Sequence, residues 1–122
     1  MTTRCVLVVD DDRLIRESLG EAIRAIGCGA DLADCGNVAL GILSGHPHDL
    51  IISDVDMPDI SGFELLERLH QRSILTPCVL MSARADRRLD LAASQAGAVT
   101  LLPKPVQLGP FTQLMNRLLD LN

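Results

Sequence analysis

The sequence is poor in aromatic residues and carries no excess of basic charge. Of its 122 residues two are Phe and none is Trp or Tyr, so its core must be aliphatic, as in α/β domains. A net charge of −5 argues against a nucleic-acid-binding surface, which needs a basic face. Apolar residues make up 48% of the chain, a share that disordered chains do not reach.

The sequence also has no signal for export, no segment for membrane insertion and no cysteine pair with metal-ligand spacing. No apolar run approaches the length of a membrane span, and the start "MTTRC" has no signal-peptide core. We therefore expect a cytoplasmic protein with a single domain over residues 1–122 and no linker. The cysteines form no C-x-x-C pair and are interpreted as reduced core residues: Cys5, Cys28, Cys35 and Cys78.

Short apolar runs alternate with segments of helical period along the whole chain. The run "CVLVV" (5–9) predicts a strand covered on both faces, and the apolar spacing of 13–26 predicts an amphipathic helix. The pattern continues with strands at 30–34, 49–53, 77–82 and 99–102, and with helices around 37–43, 63–69, 89–96 and 111–118. The second helix would be capped by Asn37 or by the glycine before it. Right-handed crossovers then place helices on both faces of a parallel (βα)5 sheet.

Polar residues follow four of the predicted strands. In an open parallel sheet, ligands bind beyond the carboxyl ends of the strands, and these residues would lie there: Asp10-Asp11-Asp12, Asp54, Ser82 and Lys104. Several carboxylates in one cleft repel each other unless a hard cation neutralises them, and Mg²⁺ prefers such oxygen ligands. A lysine and a hydroxyl add groups that bind a second anion. Together these residues predict phosphoryl transfer, which depends on positioning and charge neutralisation.

Five separated blocks make the prediction more specific. "VLVVDDD", "SDVDMPDISGFELL", "MSA", "AGA" and "KPV" occur in the order and spacing of the receiver domain of two-component response regulators, which the chain resembles over essentially its whole length. The resemblance implies a flavodoxin-like, doubly wound sheet with strand order 2-1-3-4-5. It also implies a phosphorylation-dependent signalling switch rather than an enzyme.

The resemblance assigns a role to each polar residue. Asp54 matches the phospho-acceptor, Ser82 the hydroxyl that hydrogen-bonds the phosphoryl group, and Lys104 the lysine that pairs with it. The Lys104–Pro105 bond is expected to be cis, an isomer that is rare except before proline.

The resemblance also implies the partners of the domain. The phosphoryl group would come from a histidine kinase or a histidine phosphotransfer protein. The output partner would bind helix four, strand five and helix five, without direct nucleic-acid or membrane binding.

The same resemblance implies a magnesium site. Asp10 and Asp11 match the acidic pair that binds Mg²⁺ directly or through water, Asp54 contributes its own carboxylate, and the backbone carbonyl of Asp56 matches a further ligand. Mn²⁺ can substitute for Mg²⁺ in such a site.

Each residue also has a simpler interpretation. The aspartate run could be a solvated turn, with Asp12 capping the next helix. Asp54 alone could be a loop acid, and Lys104 alone a surface lysine. His46 and His48 in "GHPHD" resemble a metal-binding pair, but they precede the third strand, at the end of the sheet opposite the acids. We expect a solvated loop there.

Two other functions account for parts of the same pattern. A phosphatase similar to haloacid dehalogenases would also place D-V-D after an apolar strand. That family, however, normally begins with this strand and places its paired acids last, whereas the order here is reversed. A degenerate receiver used only for binding would not need the acid, hydroxyl and lysine set.

The sequence departs from the receiver pattern at one position. Leu101 stands in strand five where many receivers carry a Tyr or Phe whose rotamer reports phosphorylation. Because exposing a leucine gains no hydrogen bond, we expect Leu101 to stay inward in both states. Asp56 and Arg84 occupy variable positions, and their opposite charges are expected to pair across the mouth of the site.

Overall fold

The predicted alternation of strands and helices is present in the computed structural model, which describes residues 3–121. The strands are β1 (Cys5–Val9), β2 (Gly29–Ala33), β3 (Leu50–Asp54), β4 (Cys78–Ser82) and β5 (Thr100–Pro103). The helices are α1 (Arg13–Ala25), α2 (Gly36–Gly45), α3 (Gly62–Gln71), α4 (Arg87–Gln95) and α5 (Leu108–Leu118). None of the helices within the described residues is long and apolar enough to cross a membrane.

The strands form one parallel sheet in the order β2-β1-β3-β4-β5, which confirms the predicted doubly wound fold. Alternate residues of each strand face opposite layers of helices. One layer packs α2, α3 and α4 on Leu7, Ile51 and Leu80. The other packs α1 and α5 on Val8, Ile52 and Met81. β3 and β4 are buried along their whole length. The last residues of these two strands, Asp54 and Ser82, are therefore buried as well.

Helix α1 begins as the sequence predicts, but α2 does not. The Asp12 carboxylate accepts hydrogen bonds from two backbone N–H groups of α1. The N-cap position of α2 is Cys35, whose side chain makes no capping bond. Instead, the Asp59 carboxylate accepts from Gly36 N at 3.1 Å and from Asn37 N at 2.7 Å. The prediction that Asn37 or Gly36 caps this helix is therefore wrong, because the cap comes from a loop 22 residues further along the chain.

Glycine is required where α3 begins. A Cβ on Gly62 would lie 2.6 Å from the backbone oxygen of Asp54, too close for any side chain. Ser61 and Glu64 form a reciprocal capping box just before this close approach. The "SG" of the sequence therefore starts α3 directly against the end of β3, where Asp54 lies.

Candidate functional site

Three carboxylates meet where β1 and β3 end. The carboxylate oxygens of Asp10, Asp11 and Asp54 lie within 4.8 Å of one another. Asp10 and Asp54 are buried and Asp11 is exposed, so the group opens to solvent on one side. We call these three residues and Lys104 the acidic pocket. The sequence predicted this convergence from the ends of the strands, and the structure brings all four together.

Lys104, the sole lysine of the sequence, supplies the positive charge of the acidic pocket. Its Nζ atom donates a hydrogen bond to Asp54 Oδ2 at 2.9 Å and lies 2.7 Å from Asp10 Oδ2. Its backbone N–H donates to the Ser82 carbonyl oxygen at 2.9 Å. The Lys104–Pro105 bond is cis, as expected. Since the lysine side chain is only 12% exposed, it neutralises the acids in a largely buried setting.

Burial and the oppositely charged neighbour shift the pKa values of Asp54 and Lys104 in opposite directions. Burial raises the pKa of Asp54, and the nearby Asp10 raises it further. The hydrogen bond and charge of Lys104 lower it, but the net pKa stays above its ordinary value. For Lys104, burial lowers the pKa, yet its contacts with the carboxylates of Asp10 and Asp54 prevail and the net pKa is raised. One lysine therefore compensates two acids incompletely.

The donor set of the acidic pocket fits a hard divalent cation. Asp10 Oδ1 accepts from Asp12 N at 2.9 Å, while Asp10 Oδ2 is buried without a hydrogen-bond partner, since its contact with Lys104 is ionic and poorly aligned. Arg16 donates to the backbone oxygen of Asp10 at 2.8 Å and holds the chain in place. A buried oxygen without a directional partner, beside two other carboxylates, matches the oxygen ligands that Mg²⁺ prefers.

Ser82 is the last residue of β4, and Arg84 lies two residues after it. Ser82 is fully buried, and its Oγ accepts a hydrogen bond from Arg84 N at 3.0 Å. The Arg84 guanidinium contacts both carboxylate oxygens of Asp56, at 2.8 and 2.9 Å. This is the pair that the sequence predicted. The backbone N–H of Asp56 donates to Asp54 Oδ1 at 3.2 Å, so the pair is attached to the loop of the buried acid.

Leu101 lies inward, as predicted for this state. It is 7% exposed and belongs to the same core cluster as Leu80 and Ala93. That it also stays inward in a second state remains a prediction.

The segment "GHPHD" differs from the expected solvated loop. His46 is exposed, but the side chain of His48 is fully buried and its Nε2 lies 2.8 Å from Asp31 Oδ2. The expectation was wrong for His48 because its partner belongs to β2, 17 residues earlier. No local pattern in the sequence marks that contact.

Comparison with known proteins agrees with this geometry. The family described as the response regulator receiver domain matches residues 6–116. The chain belongs to this family. It is 35% identical over 112 residues to the DNA-binding transcriptional regulator NtrC of Salmonella typhimurium, and 35% identical over 114 residues to the response regulator MprA of Mycolicibacterium vanbaalenii. These alignments cover 92% and 93% of the chain but only 24% and 49% of the two relatives.

Solved receiver domains share the fold over their whole length. The receiver domain of the Francisella response regulator 1452 has a TM-score of 0.91 at 27% identity, covering 97% of this chain and 98% of that one. The chemotaxis protein CheY4 of Vibrio cholerae has a TM-score of 0.89 at 27% identity, covering 96% and 99%. This receiver is therefore the signalling-switch module of a response regulator, and its acidic pocket lies at the switch point of the sheet.

Proposed function

We propose that residues 1–122 form one receiver domain that accepts a phosphoryl group on Asp54. The observation that carries the proposal is the buried Asp54 carboxylate, which accepts a hydrogen bond from Lys104 and lies beside Asp10 and Asp11. The donor would be the phosphohistidine of a sensor histidine kinase or of a histidine phosphotransfer protein. A cytoplasmic location fits such a donor.

The transfer would be a single in-line displacement. One carboxylate oxygen of Asp54 attacks phosphorus, a P–O bond forms, and the P–N bond to the donor histidine breaks. The donor imidazole leaves with the electron pair of that bond. Lys104 moves from the Asp54 carboxylate to an oxygen of the phosphoryl group, and the Ser82 hydroxyl, whose oxygen accepts from Arg84 N, donates its hydrogen to another oxygen. The raised pKa of Lys104 keeps its charge available throughout.

We propose that Asp10, Asp11, Asp54 and the backbone carbonyl of Asp56 hold Mg²⁺, or Mn²⁺ in its place. The bound ion would neutralise the carboxylates and the negative charge that develops on phosphorus. The buried Asp10 oxygen without a hydrogen-bond partner supports this assignment. Arg16 would keep the Asp10 main chain in position through the hydrogen bond to its backbone oxygen.

The output surface would be formed by α4, β5 and α5. Exposed apolar side chains occur on α4, just before β5 and at the start of α5, namely Leu91, Val99 and Leu108. Their exposure supports binding to an output domain or a separate protein. With a net charge of −5, this domain would bind neither nucleic acid nor membrane directly.

Phosphorylation by a small donor tests the proposal. With acetyl phosphate and Mg²⁺, the intact mass should rise by one phosphoryl group, and the adduct should be labile to base as an acyl phosphate is. Asp54→Asn should abolish the gain, whereas the matched loop variant Asp59→Asn should keep it. A base-stable adduct on Ser53 or Ser82, or an unchanged gain in Asp54→Asn, would overturn the assignment.

A further inference from the structure

A second group of metal-ligating side chains lies near the amino ends of β1 and β2, opposite the acidic pocket. The Cys5 Sγ, the His48 ring nitrogen and an Asp31 carboxylate oxygen lie within 4.8 Å of one another. His46 Nε2 approaches the same Asp31 oxygen at 3.1 Å. We call these four residues the amino-end cluster. Thiol, carboxylate and two imidazoles are the ligand types of zinc sites.

The contacts of His48 favour a proton or a metal ion at its Nε2. Its Nδ1 lies 3.2 Å from the His46 carbonyl oxygen, which only accepts, so Nδ1 carries the hydrogen of that bond. In a neutral ring, Nε2 then presents a lone pair to the Asp31 carboxylate 2.8 Å away. Two lone pairs repel unless a proton or a metal ion lies between them. An Nδ1–H bond to a carbonyl also orients a histidine whose Nε2 binds metal.

Asp31 Oδ2 is the point on which the amino-end cluster converges. It lies 2.8 Å from His48 Nε2, 3.1 Å from His46 Nε2 and 3.7 Å from Cys5 Sγ. Tetrahedral Zn²⁺ with bonds of about 2.0–2.3 Å separates its ligand atoms by about 3.4–3.6 Å. Each of these three separations from Asp31 Oδ2 therefore needs to change by less than about 1 Å. Three potential donors on one oxygen exceed its two lone pairs, whereas a central ion gives each of them a bond.

The amino-end cluster combines fixed and adjustable ligands. Cys5 is anchored by two backbone contacts with Asp49, because its N–H donates to the Asp49 carboxylate and its carbonyl accepts from Asp49 N, both at 2.8 Å. His48 is completely buried. Asp31 and His46 are 41% and 55% exposed and are free to shift outward. Two rigid ligands and two mobile ones allow an ion to enter without rebuilding the core.

We propose that the amino-end cluster binds one divalent transition-metal ion of the zinc class through Cys5 Sγ, Asp31 Oδ2, His46 Nε2 and His48 Nε2. Sulfur and nitrogen donors select this class over Mg²⁺, which prefers oxygen. The ion would join the segment before β3 to the sheet. It would act separately from the acidic pocket, and the proposal does not depend on phosphorylation of Asp54.

Cobalt(II) is the probe for the test. With the acidic pocket filled by excess Mg²⁺, the reduced whole chain without transition metal should take up one equivalent of Co²⁺ and develop the absorption of a thiolate-to-cobalt charge transfer. One equivalent of Zn²⁺ should remove this colour, and a large excess of Mg²⁺ should leave it. Cys5→Ser should abolish the charge-transfer band, and His46→Gln should weaken Co²⁺ binding by about tenfold or more. His46 is exposed, so this variant folds whatever the fate of substitutions at the buried His48.

Matched variants outside the amino-end cluster provide the controls. Cys35→Ser and His70→Gln replace the same residue types elsewhere and should leave the cobalt spectrum unchanged. The proposal is wrong if the wild type shows no charge-transfer band at about tenfold excess of Co²⁺. It is equally wrong if Cys5→Ser keeps the band, or if Mg²⁺ displaces the cobalt, since the ion would then occupy the acidic pocket.

Discussion

Two aspartates five residues apart, Asp54 at the end of β3 and Asp59 in the loop that follows, lie in opposite surroundings. Asp54 is buried, and its pKa is raised because burial outweighs its lysine partner. Asp59 is exposed; its slight burial would raise its pKa, but backbone N–H donors including Asn37, Ile60 and Gly36 hold it at about 2. The first carboxylate is stabilised incompletely and is available for chemistry, whereas the second is fully engaged as a helix cap.

The contrast follows from the donors that each carboxylate meets. Backbone N–H groups at a helix start are fixed in place and already need an acceptor, so an aspartate there stabilises the fold. A carboxylate at the end of a buried strand meets one N–H group, from Asp56, and a lysine that it shares with Asp10. The phosphoryl acceptance that we propose for Asp54 would therefore depend on the same incomplete compensation that costs stability.

The largest expected change in stability comes from removing Lys104, the cation that Asp10 and Asp54 share. Lys104→Met would leave Asp10 and Asp54 buried together without a positive partner. The free energy of unfolding should fall by about 3 kcal/mol at neutral pH, the usual scale for breaking a buried ion pair. Urea unfolding, read by circular dichroism, measures this loss, and added Mg²⁺ should restore part of it.

The matched control for that loss is Arg13→Met. Arg13 forms an exposed pair with Glu17 within α1, and such solvent-exposed pairs contribute little to stability. Equal losses in the two variants would mean that Lys104 does not compensate the buried acids.

The next largest loss of stability is expected from removing Asp59, the aspartate that caps α2. Asp59→Ala removes the acceptor of the first N–H groups of α2 and should cost about 1 kcal/mol at neutral pH. Because the folded-state pKa of Asp59 is lowered to about 2, its contribution is present above the ordinary aspartate pKa of about 4 and is lost as the pH falls toward 2. The difference in unfolding free energy between wild type and variant should therefore shrink over that range. A difference that stays constant down to pH 2 would contradict the cap.

Asp54→Asn should change stability in the opposite direction and by less. Because its folded-state pKa is raised, the ionised carboxylate is less favourable in the fold than in the unfolded chain. Stability is therefore lost as the pH rises through the folded-state pKa. Without Mg²⁺ at neutral pH, the neutral amide should raise Tm by less than about 5 °C, the shift that roughly 1 kcal/mol produces in a domain of this size. Calorimetry beside Asp56→Asn, an exposed control, measures the difference, and a lower Tm for Asp54→Asn would refute it.

The sequence predicts the residues of the acidic pocket better than it predicts the tertiary contacts of Asp59 and His48. Asp10, Asp54 and Lys104 each follow an apolar strand, and parallel strands bring their carboxyl ends to one edge. The roles of Asp59 and His48 depend on partners 22 and 17 residues away. In "DVDMPD" the three acids look alike, and only the tertiary contacts separate a buried acceptor, an exposed ion pair and a helix cap.

The smallest expected effect belongs to the remaining acid of that loop, Asp56, and to Arg84. The pair is 56% and 75% exposed, so it contributes at most about 1 kcal/mol, and its loss should lower global stability less than the loss of Lys104 or Asp59 does. If Asp54 is phosphorylated, however, the pair covers the path by which water reaches the acyl phosphate. Arg84→Ala should therefore speed hydrolysis of the phosphorylated form by up to about fivefold, the factor that 1 kcal/mol allows. Loss of the phosphoryl mass with time gives the rate.

A double-mutant cycle distinguishes the effect of the Asp56–Arg84 contact on hydrolysis from the separate effects of the two side chains. Asp56→Ala alone and Arg84→Ala alone each break the same contact, so the double variant should hydrolyse no faster than either single one. Arg87→Ala, at the exposed start of α4, is the matched arginine control and should leave the rate unchanged. Additive accelerations would mean that each side chain acts on water by itself. A slower rate in Arg84→Ala would mean that the guanidinium assists hydrolysis, and the interpretation of this pair as a cover over the mouth of the acidic pocket would be wrong.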